Sequence, residues 1–422
     1  MLQLGMRGLR DVLRPTGNRL TDCVGLGVLI RVVPHDLVDE VLNLTGKKEK
    51  RSRLLPARVV VYYVLALTLF YGDAYEEVMR KLVNGLRFLR SWRRDWEVPT
   101  TGAISRARVR IGARPLEELF FRVAVPIAKP QSPGSWYRGW RVMAIDGVVL
   151  DAPDTPENVA VFNKKPHRDG GESVYPQVRV LGLTECGTHA MVAATIDSWR
   201  VYERELAERL LDQVEPNMLV LADRGFYSYD LWRRFTDTDA ALVWRIKSSV
   251  ELPLLAALPD GSYLSELLPN QLKKDLRAGK RYSRPDGSSL PIRVLEYRIG
   301  NRSSPEIIRL ITTLTDHEEY PAEELAELYA ERWEIELGFD EIETHQMGTS
   351  SLLRSKKPDL VKQEIWGLLI THYAIRHLMH EAADTIDIDE DRLSFIRSLR
   401  VVQRSITNDA NFPPSAGPKN LD

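Results

Sequence analysis

The stretch Tyr329-Ala-Glu-Arg332-Trp-Glu-Ile-Glu336-Leu-Gly-Phe-Asp-Glu-Ile-Glu343 decides how the chain reads. From Pro321 onward Glu and Leu dominate and no glycine occurs before Gly338, which predicts a helix. At roughly 100° per residue, Tyr329, Arg332, Glu336 and Glu343 fall within about 60° of one another. Leu328, Ile335, Phe339 and Ile342 form an apolar stripe beside them. A phenol, a guanidinium and carboxylates therefore line one face next to a buried seam. Arg and Tyr can hold phosphate oxygens while a carboxylate binds a metal ion, so this face suits a phosphodiester. Taken alone, a solvated, charge-rich helix is the simpler explanation. The upstream sequence tips the balance.

Two more carboxylates stand where the same chemistry needs them. Arg141-Val-Met-Ala-Ile-Asp146-Gly reads as a buried strand carrying an Asp. Met218-Leu-Val-Leu-Ala-Asp223-Arg-Gly-Phe reads as a second apolar strand that ends in Asp. Either alone is more often a turn former or a helix cap. Strand, strand and helix each presenting one acid, in the order Asp, Asp, Glu, is far less common. Three such groups repel one another unless divalent cations neutralise them. Paired Mg²⁺ or Mn²⁺ ions about 3.5–4 Å apart can activate an attacking oxygen and stabilise a leaving one.

These segments resemble the DDE transposases of the IS4 family. That family's helix motif is Tyr-x2-Arg-x3-Glu-x6-Lys, matched here at Tyr329, Arg332 and Glu336; Ala-Ile-Asp146-Gly and Ala-Asp223-Arg-Gly-Phe match its two Asp segments. The resemblance implies a ribonuclease H-like core with Asp146, Asp223 and Glu336 as the catalytic, metal-holding residues and two Mg²⁺ (or Mn²⁺) ions as cofactor. It implies DNA contacts from Tyr329 and Arg332, cleavage at the transposon ends, and strand transfer of the freed 3′-OH into target DNA. The expected partners are the double-stranded terminal inverted repeats and the target, with dimerisation on paired ends. One position departs from the pattern: the fourth is Glu343 where the family has Lys. A negative charge there opposes phosphate. The position is tolerant in this subgroup, or Lys356 or Lys357 substitutes, or this copy is weakened.

Charge agrees with that expectation. Over 422 residues the formal net charge is −1, yet residues 1–130 hold 23 Lys plus Arg against 13 Asp plus Glu, a net of +10. The remainder is then −11. A basic N-terminal part ahead of an acidic one fits DNA binding followed by metal-dependent chemistry. The two cysteines, Cys23 and Cys186, have no ligand-spaced partners, so neither a zinc site nor a disulfide framework is expected, and a reducing cytoplasm is the natural compartment. No signal peptide is evident, and the longest apolar run, Val59 to Tyr71, is too short for a bilayer. No Gly-x4-Gly-Lys-Ser/Thr pattern occurs, which removes a P-loop ATPase.

The expected fold is α/β: an all-α N-terminal DNA-binding domain over residues 1–135, then a ribonuclease H-like catalytic domain over 136–400, then a tail over 401–422. Pro34–Leu44 and Pro56–Leu89 read as helices, and the Pro-, Gly- and Ser-rich segment 126–140 as the boundary. Strands are predicted at 141–151, 174–184, 189–197 and 218–223, with a helix over 203–213. The long interval between Asp223 and Glu336 predicts a β-rich insertion at about 240–316. Near the basic connector Lys47–Arg53 and the cation–aromatic stretch Arg87–Trp96, the segment Pro99–Gly112 resembles the second half of a helix-turn-helix. Its Arg106, Arg108 and Arg110 are candidate DNA contacts, against the alternative of solvated helix surface.

Other residues take blander roles. Trp244 could stack on a flipped base but reads better as core. Arg224 could hold a phosphate or pair with a carboxylate. His167 and His189 lack ligand-spaced partners and read as structural, and Glu203 and Glu205 read as surface charges. Two competitors to an active transposase remain: an end-binding relative that no longer cuts, supported only by Glu343, and a ribonuclease H-like nuclease without strand transfer.

Overall fold

The computed structural model describes residues 27–49, 55–84, 98–167, 169–278, 289–299, 306–348 and 352–407. Cys23, Arg87–Trp96, most of the basic connector and the tail from Asn408 lie outside them. The chain divides into two compact units, one of Met1–Val123, Ile342–Ile375 and Leu393–Asp422, the other of Ala124–Glu341 and Arg376–Arg392.

The first unit opens with helices α1 (His35–Leu44), α2 (Ala57–Leu69), α3 (Tyr75–Asn84), α4 (Thr101–Ile111) and α5 (Arg114–Val123). Pro34 and Pro56 set the first two starts, in extended backbone just before the first turn. Every residue of α2 except Arg58 is buried, as expected of a helix apolar all round. The helix expected over 56–89 is two helices in its described part, to Asn84, because Phe70 leaves the helical region and Gly72-Asp73 turns the chain; 85–89 lie outside the described residues. Among the described residues no helix is long and apolar enough to cross a membrane.

The second unit is built on one sheet. Its strands are β1 (Trp136–Tyr137), β2 (Trp140–Asp151), β3 (Lys164–Pro166), β4 (Glu172–Glu185), β5 (Ala190–Ser198), β6 (Met218–Ala222), β7 (Ala241–Ile246), β8 (Ala256–Ala257), β9 (Tyr263–Leu267), β10 (Leu290–Ile299) and β11 (Glu306–Thr312). Helices α6 (Pro156–Phe162), α7 (Glu203–Glu208), α8 (Tyr229–Thr236), α9 (Asn270–Arg277), α10 (Ala322–Ala330) and α11 (Trp333–Asp340) interleave. Antiparallel β5-β4-β2 continues into parallel β2-β6-β7. Three antiparallel strands and then two parallel ones, with the first strand central, is the ribonuclease H-like order expected. The sheet runs on through β11-β10-β9-β8, all antiparallel.

One boundary shifts. The insertion was expected to start near 240, but β7 is the fifth core strand, paired in parallel with β6 through Leu219↔Ala241 to Ala222↔Trp244. An apolar run shows that a strand is buried, not which strand it pairs with, so the excursion lies between β7 and β11. The chain then enters α12 (Pro358–Ile386) and α13 (Phe395–Thr407). Residues through Ile375, and again from Leu393, belong to the first unit rather than to the domain expected to span 136–400. Trp366 of α12 packs on Phe120 of α5 at 5.2 Å between ring centroids. Part of the segment expected to be tail is helix too, burying Val402 and Ile406.

Candidate active site

Asp146 and Asp223 come from neighbouring parallel strands in matching register. The last paired step of β2 and β6 is Ile145↔Ala222, and each Asp is the next residue. Adjacent strands lie about 4.8 Å apart, and residues level with one another point to the same side. The five residues of β6 are all buried, so the strand is fixed up to the point where Asp223 leaves it. There the chain turns, the Phe226 N–H donating to the Asp223 carbonyl at 3.0 Å.

The helix expected from Pro321 is broken once. α10 ends at Ala330, Arg332 sits at the junction, α11 follows, and Glu341–Gln346 forms a wider π turn. Arg332 Nη1 donates to Asp146 Oδ2 at 2.9 Å, and its Nη2 donates to Glu336 Oε1 at 3.0 Å. One guanidinium therefore links an acid of the sheet to the acid of the helix. It also lies 5.2 Å from the Trp333 ring centre. The Tyr329 hydroxyl is buried and reaches the carbonyl of Ala222 at 3.4 Å, tying α10 to the end of β6. Burial pushes that phenol well above its ordinary range.

The acids are under-compensated. Burial pushes the Asp146 carboxyl up to about 6; the Gly147 N–H and Arg332 pull it down, while the charges of Glu336 and Glu203 push it further up. The Gly147 N–H donates to Asp146 Oδ1 at 2.8 Å. Asp223 Oδ1 is buried with no hydrogen-bond partner. Glu336 is the most open of the three, with 41% of its side chain exposed. Among the described residues no three His, Cys, Asp or Glu side chains stand close enough to form a ready-made metal site. The donors nevertheless fit a hard divalent cation. All are carboxylate oxygens, one of them is a buried orphan, and Arg332 is the cation that links two of the acids.

The predicted DNA-contacting arginines do not share a face. Arg106 is exposed. Arg108 is 1% exposed and donates to Gln363 Oε1, the Tyr75 hydroxyl, Ser355 Oγ and the Leu360 carbonyl. Arg110 is half-buried and donates to the Leu55 carbonyl at 2.5 Å. Positions two apart on a helix lie about 200° apart, so 108 points inward when 106 and 110 point outward. Arg108 is a core residue and cannot reach a phosphate from there. Trp244 is also core, edge-on to Trp232 and Phe235, each at 5.2 Å. His189 is buried, its Nδ1 accepting from Arg376 Nη2 at 2.6 Å, while His167 and Arg224 are exposed. Glu343 is half-buried in the π turn, and Lys356 and Lys357 are exposed. Glu203, expected to be a surface charge, keeps 37% of its side chain exposed and also lies over the glycines that follow Asp146 and Asp223. No local pattern marks it, because that proximity is made by the sheet.

The family model described as insertion element 4 transposase N-terminal matches residues 23–121, and the transposase DDE domain matches residues 138–373. The chain is 30% identical over 374 residues to the transposase InsG for insertion sequence element IS4 of Escherichia coli, covering 88% of this chain and 80% of the relative. A cryo-EM structure of the piggyBac transposase synaptic complex with hairpin DNA aligns over 90% of this chain and 80% of its own, with TM-score 0.48 and 11% identity.

Proposed function

The chain belongs to the IS4 family of DDE transposases, and on that premise we propose that it cuts DNA at the ends of its own insertion sequence and joins the freed ends to target DNA. The observation that carries this is the level placement of Asp146 and Asp223 on adjacent parallel strands, with Glu336 bridged to Asp146 through Arg332. Asp146, Asp223 and Glu336 would hold the divalent cations. Mg²⁺ or Mn²⁺, when bound there, would activate the attacking hydroxyl and stabilise the leaving 3′ oxygen. Arg332 does double duty. It neutralises Asp146 and Glu336 in the free protein, and it becomes a phosphate ligand once those acids are otherwise engaged. Tyr329 positions rather than reacts, since its raised pKa keeps the phenol protonated. The substrates are double-stranded inverted repeats and a target duplex, with two copies of the chain on paired ends, in the bacterial cytoplasm.

The test is a DNA fragment carrying the coding region with several hundred bases on each side, incubated with protein and Mg²⁺ or Mn²⁺. Discrete breaks flanking the gene are expected, and they should vanish with Glu336→Gln. Scattered cutting would mark a nuclease instead. Binding without cutting would mark a disabled copy, in which case Glu343→Lys is the variant to assay next.

A further inference from the structure

Resting on the metal-dependent function proposed above, we infer that Glu203 is a fourth carboxylate of the cleavage site, holding or orienting a divalent cation together with Asp146 and Asp223. Glu203 is the first residue of α7, the helix after β5. A Cβ built on Gly225 would stand 3.6 Å from Glu203 Oε2, and one on Gly147 would stand 3.9 Å from its Cγ. Those glycines follow Asp146 by one residue and Asp223 by two, so the Glu203 side chain lies across both acidic segments. Space there is tight. A Cβ on Gly147 would also come within 3.1 Å of the Val180 carbonyl and 3.2 Å of Leu181 Cδ1.

The carboxylate is also aimed. Arg179 Nη1 donates to the Val201 carbonyl at 2.6 Å, which fixes the guanidinium against the turn leading into α7. Its Nε then lies 3.7 Å from Glu203 Oε1, leaving Oε2 as the oxygen turned toward Gly225. The second, independent sign is Asp223 Oδ1 two residues before that glycine, buried and without a hydrogen-bond partner. Pairing with Arg179 alone gives Glu203 no reason to crowd two other acids, since gathered like charges cost stability unless a cation repays them. Glu205, in the same helix, is the contrast: exposed and paired with Arg209 at 3.2 Å.

The experiment titrates Mn²⁺ into the full-length protein, reading free Mn²⁺ by electron paramagnetic resonance and the melting temperature with and without the ion. Glu203→Gln should weaken Mn²⁺ binding by about tenfold or more and lose the matching part of the Mn²⁺-induced rise in Tm. Without metal its Tm should equal or exceed that of the parent protein, because a like charge has gone. Glu203→Asp should fall between the two, and Glu205→Gln should behave as the parent. An unchanged isotherm for Glu203→Gln overturns the proposal, as does a lower metal-free Tm with parental Mn²⁺ affinity, which would leave Glu203 as a structural partner of Arg179. Asp223→Asn separates the two levels. If it abolishes binding and Glu203→Gln does not, only the fourth carboxylate is lost; if neither changes binding, the metal site itself is wrong.

Discussion

Two buried arginines, Arg108 of the first unit and Arg332 of the second, are held in opposite ways. Arg108, in the first unit, gives its donors to an amide oxygen, a phenol, a serine hydroxyl and a backbone carbonyl. Those acceptors are all neutral, and the arginine is a structural pin. Arg332, in the second unit, gives its donors to two carboxylates, and its Nε is buried without a partner. Carboxylates are what a divalent cation competes for. The same side chain is thus a fixture where its acceptors are neutral and a replaceable counter-charge where they are acids. A functional site can be recognised by interactions that something else could take over.

The largest expected effect lies on the fixed side. Arg108→Met should destabilise the first unit by about 3–5 kcal/mol, because it strands buried acceptors, and Arg108→Lys should recover little since an ammonium cannot make the planar fork. Chemical denaturation checks this, and Mg²⁺ should not restore the loss.

Next comes Asp146, where the sign can be worked out. Its folded pKa of about 6 lies above the unfolded value of roughly 3.9. The folded state therefore binds the proton more tightly. The group costs nothing below about pH 4, stability falls as pH rises between the two values, and the full penalty persists above the folded value. In the absence of metal, Asp146→Asn should stabilise the protein at pH 7.5 by on the order of 2–3 kcal/mol, and the gain should vanish below about pH 4. Denaturant midpoints measured across pH test it. A variant equally unstable at every pH would show that Asp146 is comfortable as built.

Arg332→Met sharpens the contrast with Arg108. Without metal it should cost on the order of 1–2 kcal/mol, softened because Asp146 can take up a proton. Saturating Mg²⁺ should recover most of that cost, as it cannot for Arg108→Met. The smallest effect belongs to Arg106, exposed on α4. Arg106→Ala should change stability by less than about 0.5 kcal/mol, and if the residue meets a phosphate it should lower the salt slope of DNA binding by about one.

Much of the second unit was legible because its signals are local. Apolar runs ending in Asp146 and Asp223 mark strands whether or not one knows what they pair with. The helix spacing of Tyr329, Arg332 and Glu336 survives a break at the junction, since one turn still separates the last two. What stayed hidden was set by contacts distant in sequence. β7 reads like an insertion strand until its parallel pairing with β6 is seen, and α12 gives no local sign that it completes the N-terminal unit. The alternating arginines of α4 misled for a simpler reason: alternation is the period of a strand, and on a helix it sends Arg108 into the core. Glu203 could not be found at all, because only the folded sheet brings α7 over Gly147 and Gly225.

The central claim is that Arg332 keeps a place among acids meant for divalent cations. Anomalous diffraction from crystals grown with Mn²⁺ tests it most directly. A peak against the carboxylates of Asp146 and Asp223, with the Arg332 guanidinium released from Asp146, is the predicted result. No peak at millimolar Mn²⁺, with the Arg332–Asp146 pair intact, would contradict it.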